Sequence, residues 1–264
     1  MSTSVELVQN EAGVSRVVFQ SANGIQILSR ATLDQLKTVL KALKGDKTVR
    51  IVVFEAQGRT FLAGADLAEL KALNRKTARR FAREGQQLFQ RIADLPAISI
   101  AAIHAACVGG GLELSLACDM RLAASGATIG APEVKLGLIP GWGGTVRSTL
   151  LVGPAHAKRI ILSGELFPAA EAQRLGIVDA VFPDDEFRAG VDARIALLLK
   201  AGPQAAVAAK RLIADIYSVE LDDLLEMEAQ QFAACYTTGE PAEGIGAFQE
   251  KRAAGWGTAL SATK

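Results

Sequence analysis

Short apolar runs alternate with helical patterns through the first two thirds of the chain. The runs typical of strands are rich in β-branched residues and cover 14–19, 51–54, 98–103 and 119–123. The helical patterns cover 33–43, with Gly45 as a stop signal, then 76–93, and then the segment from the Gly-Gly-Gly run to residue 116. The order predicts an α/β fold of repeating β-β-α units.

Helical patterns dominate after about residue 154. They cover 155–162, 169–175, 185–200, 203–217, 221–235 and 242–252, and only 178–182 has a strand pattern there. Gly202 and Pro203 mark the clearest boundary. We therefore predict a core domain over 1–200 and a helical region over 201–264. Because that region has few ways to bury its apolar faces alone, we expect it to pack on the core or on a neighbouring subunit.

Composition fits a soluble globular protein. Of the 264 residues, 50% are hydrophobic and 22% are charged, and the net charge of +1 gives no reason to expect a nucleic acid or an anionic membrane as partner. The three cysteines form no CxxC motif, which favours a reducing compartment. The N-terminus lacks the apolar segment of a secretory signal, and the most apolar stretch, 97–112, is shorter than a membrane span. We expect a cytoplasmic protein without a membrane partner.

Glu113 is the first candidate for chemistry, because it lies in the apolar sequence LEL of a predicted helix. An unpaired carboxylate in a protein core costs several kcal/mol or stays protonated. The alternatives are a glutamate on a solvated helix face, or one paired with an arginine such as Arg121.

Three glycines, Gly109 to Gly111, precede Glu113, with Leu112 between the run and the glutamate. They let a ligand atom approach the backbone and leave the first N–H groups of the helix without partners, and such a helix end favours negative charge. A tight turn is the simpler alternative. A dinucleotide fingerprint fails because Leu114 stands where its third glycine is required. The nearby carboxylate favours an oxyanion site.

A second glycine-containing loop, 59–66, follows the strand predicted at 51–54. Gly64 permits an unusual backbone conformation, and Asp66 is placed to cap the next helix. By itself the loop is more typical of a strand-to-helix connection. Together with the first glycine run, it could supply two N–H donors to one oxygen, the minimum for an enolate or a tetrahedral oxyanion.

Glu133 lies in a third segment, 129–144, which contains many glycines and is predicted to be a loop. A glutamate in a loop is most often solvated. Its apolar neighbours, such as Val134 and Leu136, indicate that this one faces inward, where burial would raise its pKa and suit it to act as a general acid.

These segments together resemble the crotonase family, also called the enoyl-CoA hydratase/isomerase family. The matching stretches are FLAGADL (61–67), VGGGLELSLACD (108–119), GAPEVKLGLIPGWGGT (130–145) and EGIGAFQEKR (243–252). The resemblance covers nearly the whole chain. The two glutamates stand 20 residues apart, as in the family members that hydrate enoyl thioesters. The implied fold is a spiral of ββα units with a helical C-terminal region.

The resemblance implies a role for each matching residue. The N–H groups of Ala65 and Gly110 would hold the thioester oxygen, Glu113 would activate water, Glu133 would deliver a proton, and Gly141 would shape the pocket. The other substrate-binding positions that it implies are Arg59, Ala63, Gly64, Asp66, Leu67, Gly109, Pro132 and Trp142. It also implies an acyl-CoA substrate and a homotrimer or a dimer of trimers.

The leading hypothesis is an enoyl-CoA hydratase that forms 3-hydroxyacyl-CoA. It requires no metal and no cofactor besides the CoA of the substrate; His104 and His156 are isolated and no HExxH motif is present. A double-bond isomerase or another acyl-CoA enzyme is the alternative. Nucleic-acid binding is a weaker one, based on basic residues that are most simply solvated helix faces, namely Lys37, Lys41, Lys44, Arg75, Lys76, Arg79, Arg80 and Arg83.

Overall fold

The chain builds two β-sheets and the helices that cover them. A computed structural model describes residues 3–9 and 13–256. The strands are β1 (Ser4–Gln9), β2 (Val14–Gln20), β3 (Ile51–Ala56), β4 (Thr60–Leu62), β5 (Ile98–Ile103), β6 (Ala106–Val108), β7 (Met120–Ala124), β8 (Thr128–Gly130), β9 (Leu166–Pro168) and β10 (Ala180–Phe182). The helices are α1 (Arg30–Gly45), α2 (Leu67–Lys71), α3 (Arg75–Ala93), α4 (Gly110–Ser115), α5 (Gly144–Ser163), α6 (Ala169–Arg174), α7 (Phe187–Leu198), α8 (Pro203–Asp215), α9 (Leu221–Cys235) and α10 (Glu240–Gln249).

From β3 to β8, successive strands alternate between two sheets. The large sheet has the order β1-β2-β3-β5-β7-β10 and the small one the order β4-β6-β8-β9. The pairs β3/β4, β5/β6 and β7/β8 each give one strand to each sheet before the chain enters a helix. From β2 to β10 the neighbouring strands of the large sheet are parallel. This arrangement is the spiral of ββα units that the sequence predicts.

The central strands are apolar throughout because both faces of the large sheet are covered. In β3, Val52 and Phe54 face the main core, whereas Ile51 and Val53 face a second core. Val191 of α7 belongs to that second core. The continuous apolar run at 51–54 is therefore explained by burial on two sides.

The pattern of apolar residues in the sequence does not reveal the strands of the small sheet. Its strands β4, β6, β8 and β9 have three residues each, too few to display a repeat of two. The prediction that 178–182 is the only strand after residue 154 is therefore wrong, because β9 also lies there. Strand β1 was missed as well; it pairs antiparallel with β2 at the edge of the large sheet.

Two predictions around residues 133–155 need correction. Helix α5 begins at Gly144 rather than at residue 155, and Gly153 interrupts it with a φ of 73° just before Pro154. That break hides the first half of the helix from pattern analysis. Glu133 lies in a short 3-10 helix, Pro132–Leu136, rather than in an irregular loop.

The helical region after Gly202 contacts the core through α8. The Lys210 ammonium lies 2.8 Å from Oδ2 of Asp119 and donates to the carbonyl oxygen of Ala97 at 2.9 Å. Helix α8 begins at Pro203, the position that the sequence indicates. The division into two domains at residue 200 stays a prediction.

Among the described residues, none of the helices combines the length and the apolar character needed to cross a membrane.

Candidate active site

Helix α4 carries Glu113 into the interior. It begins after Gly109, whose φ of 57° and ψ of −121° suit a residue without a Cβ. A Cβ on Gly111 would overlap the carbonyl oxygen of Leu62, so α4 packs directly on strand β4. This close packing buries Glu113, which is only 4% exposed.

Two backbone amides hold the Glu113 carboxylate. Its Oε1 accepts hydrogen bonds from the N–H of Trp142 at 2.7 Å and from the N–H of Gly144 at 2.8 Å. The alternative of a pair with Arg121 is wrong, because Arg121 instead donates to Asp179 at 3.0 Å. Glu113 is thus oriented by amides of the segment that follows Glu133 in the chain.

Burial raises the pKa of Glu113 to about 7. Loss of hydration is the largest cause, and the charge of Glu133 acts in the same direction. The hydrogen bond from Gly144 opposes it, as do the bond from Trp142 and the positive charge of Arg147. A carboxylate with a pKa near neutrality is suited to take up a proton and return it.

Glu133 faces the same space as Glu113. Both of its carboxylate oxygens are buried and have no hydrogen-bond partner within the part of the chain that the structure describes. Burial raises its pKa. A Cβ on Gly109 would lie 3.2 Å from Oε1 of Glu133, so this carboxylate sits against the glycine turn that begins α4.

The two glycine loops approach each other beside these carboxylates. Gly64 has a φ of 95°, and a Cβ there would lie 3.3 Å from the carbonyl oxygen of Val108 and 3.7 Å from the nitrogen of Gly110. Across residues 3–9 and 13–256, no backbone acceptor takes the N–H of Ala65 or of Gly110. The loops therefore present two free amides, as an oxyanion site requires.

One cavity of about 280 Å³ brings these groups together. Glu113 and Glu133 are the ionisable residues that line it, and the rest of the lining is apolar or glycine. The apolar side chains come chiefly from three places, α2 with its flank, α3, and the segment after Glu133; they include Leu67, Leu70, Phe81, Ala82, Leu136 and Trp142.

Most of the predicted site residues line this cavity. They are Ala63, Gly64, Ala65, Leu67, Gly109, Gly110, Glu113, Pro132, Glu133, Gly141 and Trp142. Two do not. Asp66 caps α2 by accepting from the N–H groups of Ala68 and Glu69, and Arg59 is exposed and donates to the carbonyl oxygen of Asn23. Substrate contacts by Arg59 and Asp66 stay predictions.

Sequence analysis missed several residues that shape the site. Arg147 donates to the carbonyl oxygen of Trp142 at 3.1 Å, Gln86 donates to that of Gly141 at 2.9 Å, and Gly144 supplies an amide to Glu113. Gly85 of α3 packs against the Trp142 ring. A glycine inside a helix of otherwise good helix formers was the one signal that pointed to such a close approach.

The geometry defines a class of chemistry. Two free amides can bind a developing oxyanion, two buried carboxyl groups can move protons, and an apolar cavity can hold a hydrocarbon chain. In the described part of the chain, no group of His, Cys, Asp and Glu side chains is arranged to hold a metal ion. Such an arrangement suits acid–base chemistry next to a carbonyl oxygen that the two amides could bind.

Comparison with known proteins identifies the family. The family model for enoyl-CoA hydratase/isomerase matches residues 9–259. The crotonyl-CoA hydratase of Syntrophomonas wolfei is 33% identical over 94% of this chain and 96% of that protein. The mitochondrial methylglutaconyl-CoA hydratase of Rattus norvegicus is 35% identical over 93% of this chain and 80% of that protein. The crystal structure of an enoyl-CoA hydratase from Bacillus anthracis superposes with a TM-score of 0.89 at 33% identity, over 97% of this chain and 99% of that one.

This chain therefore belongs to the enoyl-CoA hydratase/isomerase family. The resemblance drawn from the sequence motifs and the predicted fold class are both confirmed. The roles assigned to individual residues rest on the geometry described above and stay predictions.

Proposed function

We propose that this protein is an enoyl-CoA hydratase, which adds water across the 2,3-double bond of a 2-enoyl-CoA to give 3-hydroxyacyl-CoA. One observation carries the proposal: two buried carboxyl groups, Glu113 and Glu133, face one apolar cavity beside the free amides of Ala65 and Gly110. Relatives named as hydratases support it.

The proposed reaction begins with the thioester oxygen on the amides of Ala65 and Gly110, which stabilise the enolate as the double bond is attacked. The ionised Glu113 takes a proton from water while the water oxygen bonds to C3. The protonated Glu133 then gives its proton to C2. The atoms balance as substrate plus water, so no oxidant, reductant or further reactant is consumed. Because the two amides stabilise the enolate and the two carboxyl groups move the protons, we propose that the reaction uses no metal and no cofactor besides the CoA of the substrate.

After one turnover Glu113 carries the proton and Glu133 has lost one, so exchange with solvent restores both. The raised pKa of each group favours this cycle, because each carboxyl group takes up a proton more readily than an exposed glutamate does.

The acyl group is proposed to be uncharged. A methylglutaconyl group has a second carboxylate, and burying that charge requires a cationic or hydrogen-bonding partner. Among the residues that the structure describes, no Lys, Arg or His lines the cavity, and the two ionisable residues that do so are acidic. A crotonyl-like chain fits this lining better than a dicarboxylic one.

A double-bond isomerase is the second candidate. It would move a proton from one carbon to another with a single carboxyl group, whereas this cavity offers two. The second carboxylate, which has no hydrogen-bond partner within residues 3–9 and 13–256, is therefore the observation that favours water addition over isomerisation.

We further propose a homo-oligomer, a trimer or a dimer of trimers, in the cytoplasm. Support comes from large apolar side chains on the C-terminal helices that are more than half exposed, including Ile213, Leu221, Phe232 and Phe248. Apolar surface of this extent is typical of contacts between subunits. Light scattering at micromolar concentration tests this, and a monomer there would contradict it.

The experiment that tests the reaction follows the absorbance of the conjugated thioester of crotonyl-CoA. We expect rapid loss with the wild-type protein and a loss slower by about 10²–10⁴ with Glu113→Gln or with Glu133→Gln. Each variant should still bind butyryl-CoA, which shows that its pocket is intact. Conversion of a 3-enoyl-CoA without any hydration of crotonyl-CoA would establish the isomerase instead.

A further inference from the structure

The cavity has an open end and a closed end. Leu67, Leu136 and Ile139 line it and are 62%, 57% and 69% exposed, whereas Trp142 lines it and is 2% exposed. The charged nucleotide of CoA stays in water, so a bound thioester leaves CoA toward the open end. The acyl chain then runs past Glu113 toward Trp142.

The Trp142 ring spans the gap between helices α3 and α4, and two glycines make room for it. A Cβ on Gly85 of α3 would overlap Cδ1 of the indole, and a Cβ on Gly110 of α4 would lie 2.7 Å from Cζ3. The pyrrole edge of the ring therefore rests on one helix and its benzene edge on the other.

The ring is held from several directions. Its Nε1–H donates to the carbonyl oxygen of Phe81 at 3.2 Å. The Phe89 ring meets it edge-on at 5.6 Å between centroids, and the Phe81 ring lies at 5.0 Å. A buried aromatic ring with a satisfied N–H and close ring neighbours is a rigid wall, since any displacement breaks these contacts together.

We propose that the Trp142 indole is the stop that sets the longest acyl chain this site accepts, so that the substrates are short-chain 2-enoyl thioesters. The inference rests on the proposed function and deepens it. Each methylene that finds room in an apolar cavity strengthens binding about fourfold. A chain that reaches the indole gains nothing further, because the next methylene must displace a packed ring or bend away from it.

Binding measurements test the stop without requiring catalysis. Isothermal calorimetry with saturated acyl-CoAs from butyryl to dodecanoyl, which cannot be hydrated, gives affinity against chain length. In the wild type we expect affinity to rise about fourfold per methylene and then to level off. In Trp142→Ala the levelling should move to longer chains, and Trp142→Phe should lie between the two.

Kinetics provide the second readout. The ratio of kcat/KM for 2-decenoyl-CoA to kcat/KM for crotonyl-CoA should rise about tenfold or more in Trp142→Ala and by less in Trp142→Phe. Both variants keep the backbone N–H that binds Glu113. Leu88→Ala is the matched control, since Leu88 is a buried residue of α3 that does not line the cavity. It should lower the thermal stability and leave the ratio unchanged.

The outcomes separate the two proposals. If the protein does not hydrate crotonyl-CoA, but Trp142→Ala moves the levelling of affinity to longer acyl chains, the hydratase proposal is rejected. The proposal that Trp142 limits the chain length is then retained. A wild type that binds long chains with undiminished gain per methylene would overturn the stop, whether or not it hydrates crotonyl-CoA. The proposal that Trp142 limits the chain length is also overturned if neither Trp142 variant changes the dependence of affinity on chain length. The same holds if Leu88→Ala changes that dependence as much as the Trp142 variants do.

Discussion

The backbone N–H of Trp142 donates to Oε1 of Glu113 at 2.7 Å, so the residue that closes the cavity also orients the carboxylate. The N–H of Gly144 adds a second bond to the same oxygen at 2.8 Å. The other oxygen, Oε2, is left free of these two bonds and can contact water. The segment after Glu133 therefore also orients the carboxylate of Glu113.

Gly144→Ala should displace Glu113. A Cβ at this position would lie 2.8 Å from Cγ and 2.9 Å from Oε1 of Glu113, so the side chain or the backbone must shift. A misplacement of about 1 Å can cost about 10² in rate, and we expect such a fall in kcat/KM for crotonyl-CoA. Affinity for butyryl-CoA should change only a few-fold. Gly45→Ala, where nothing lies within 4 Å of the new Cβ, is the control and should retain full activity.

Arg147 should lower the pH at which the enzyme becomes active. Its guanidinium favours the ionised form of Glu113, whose pKa is about 7. Because the proposed base must be ionised and the proposed acid protonated, kcat/KM should rise with pH as Glu113 ionises near pH 7 and should fall again where Glu133 loses its proton. Removing the positive charge in Arg147→Gln leaves the proton more tightly held, so the rising limb should move to higher pH.

Arg147→Lys keeps the positive charge, so the rising limb of its pH profile should stay closer to the wild-type position. The measurement is kcat/KM for crotonyl-CoA from about pH 5.5 to about pH 9 in each protein. A limb that stays in place in Arg147→Gln would mean that this charge does not act on the base. Loss of activity at every pH without a shift would point to a structural role alone.

The sequence predicted the parts of this molecule that are long or chemically conspicuous. The start of helix α3 was predicted within one residue, because its apolar positions repeat over five turns. Glu113 was found because a carboxylate among leucines is unusual. The three-residue strands of the small sheet carry no such repeat, and they exist only because the chain pairs them across the spiral.

The partners of Glu113 could not be found from the sequence. They are backbone amides 29 and 31 residues away, and an amide has no side-chain signature. Glycines gave the one indirect signal. Gly85 weakens α3 as a helix, and the structure shows that it makes room for the Trp142 ring.

Glu113 should also make stability depend on pH. Its pKa is about 7 in the folded protein, against an ordinary value of 4.5. Because the folded state holds the proton more tightly than the unfolded state does, Glu113 contributes its full stabilisation below about pH 4.5. That contribution to the free energy of unfolding is lost as pH rises to about 7. Glu113→Gln has no proton to lose. Its free energy of unfolding relative to wild type should therefore increase by about 3 kcal/mol over this range.

Urea denaturation at about pH 4.5, 6 and 8 measures this difference. Gly45→Ala, which changes no ionisable group, should follow the wild-type pH dependence. If Glu113→Gln parallels the wild type instead, the carboxyl group titrates alike in the folded and unfolded states, and the raised pKa is refuted.

Lys210 should fasten the helical C-terminal region to the core. Its ammonium is 2.8 Å from Asp119 and donates to the carbonyl oxygen of Ala97, and the side chains of Lys210 and Asp119 are 11% and 24% exposed. Such half-buried charged contacts are stronger than surface pairs, so Lys210→Met should lower the free energy of unfolding by about 1–3 kcal/mol. Adding Asp119→Asn should lower the free energy of unfolding less in the Lys210→Met background than in the wild type, because the two groups interact.

Lys158→Met, at an exposed position, is the control and should change stability little. Equal stability of Lys210→Met and wild type in chemical denaturation would show that the region is held by other contacts.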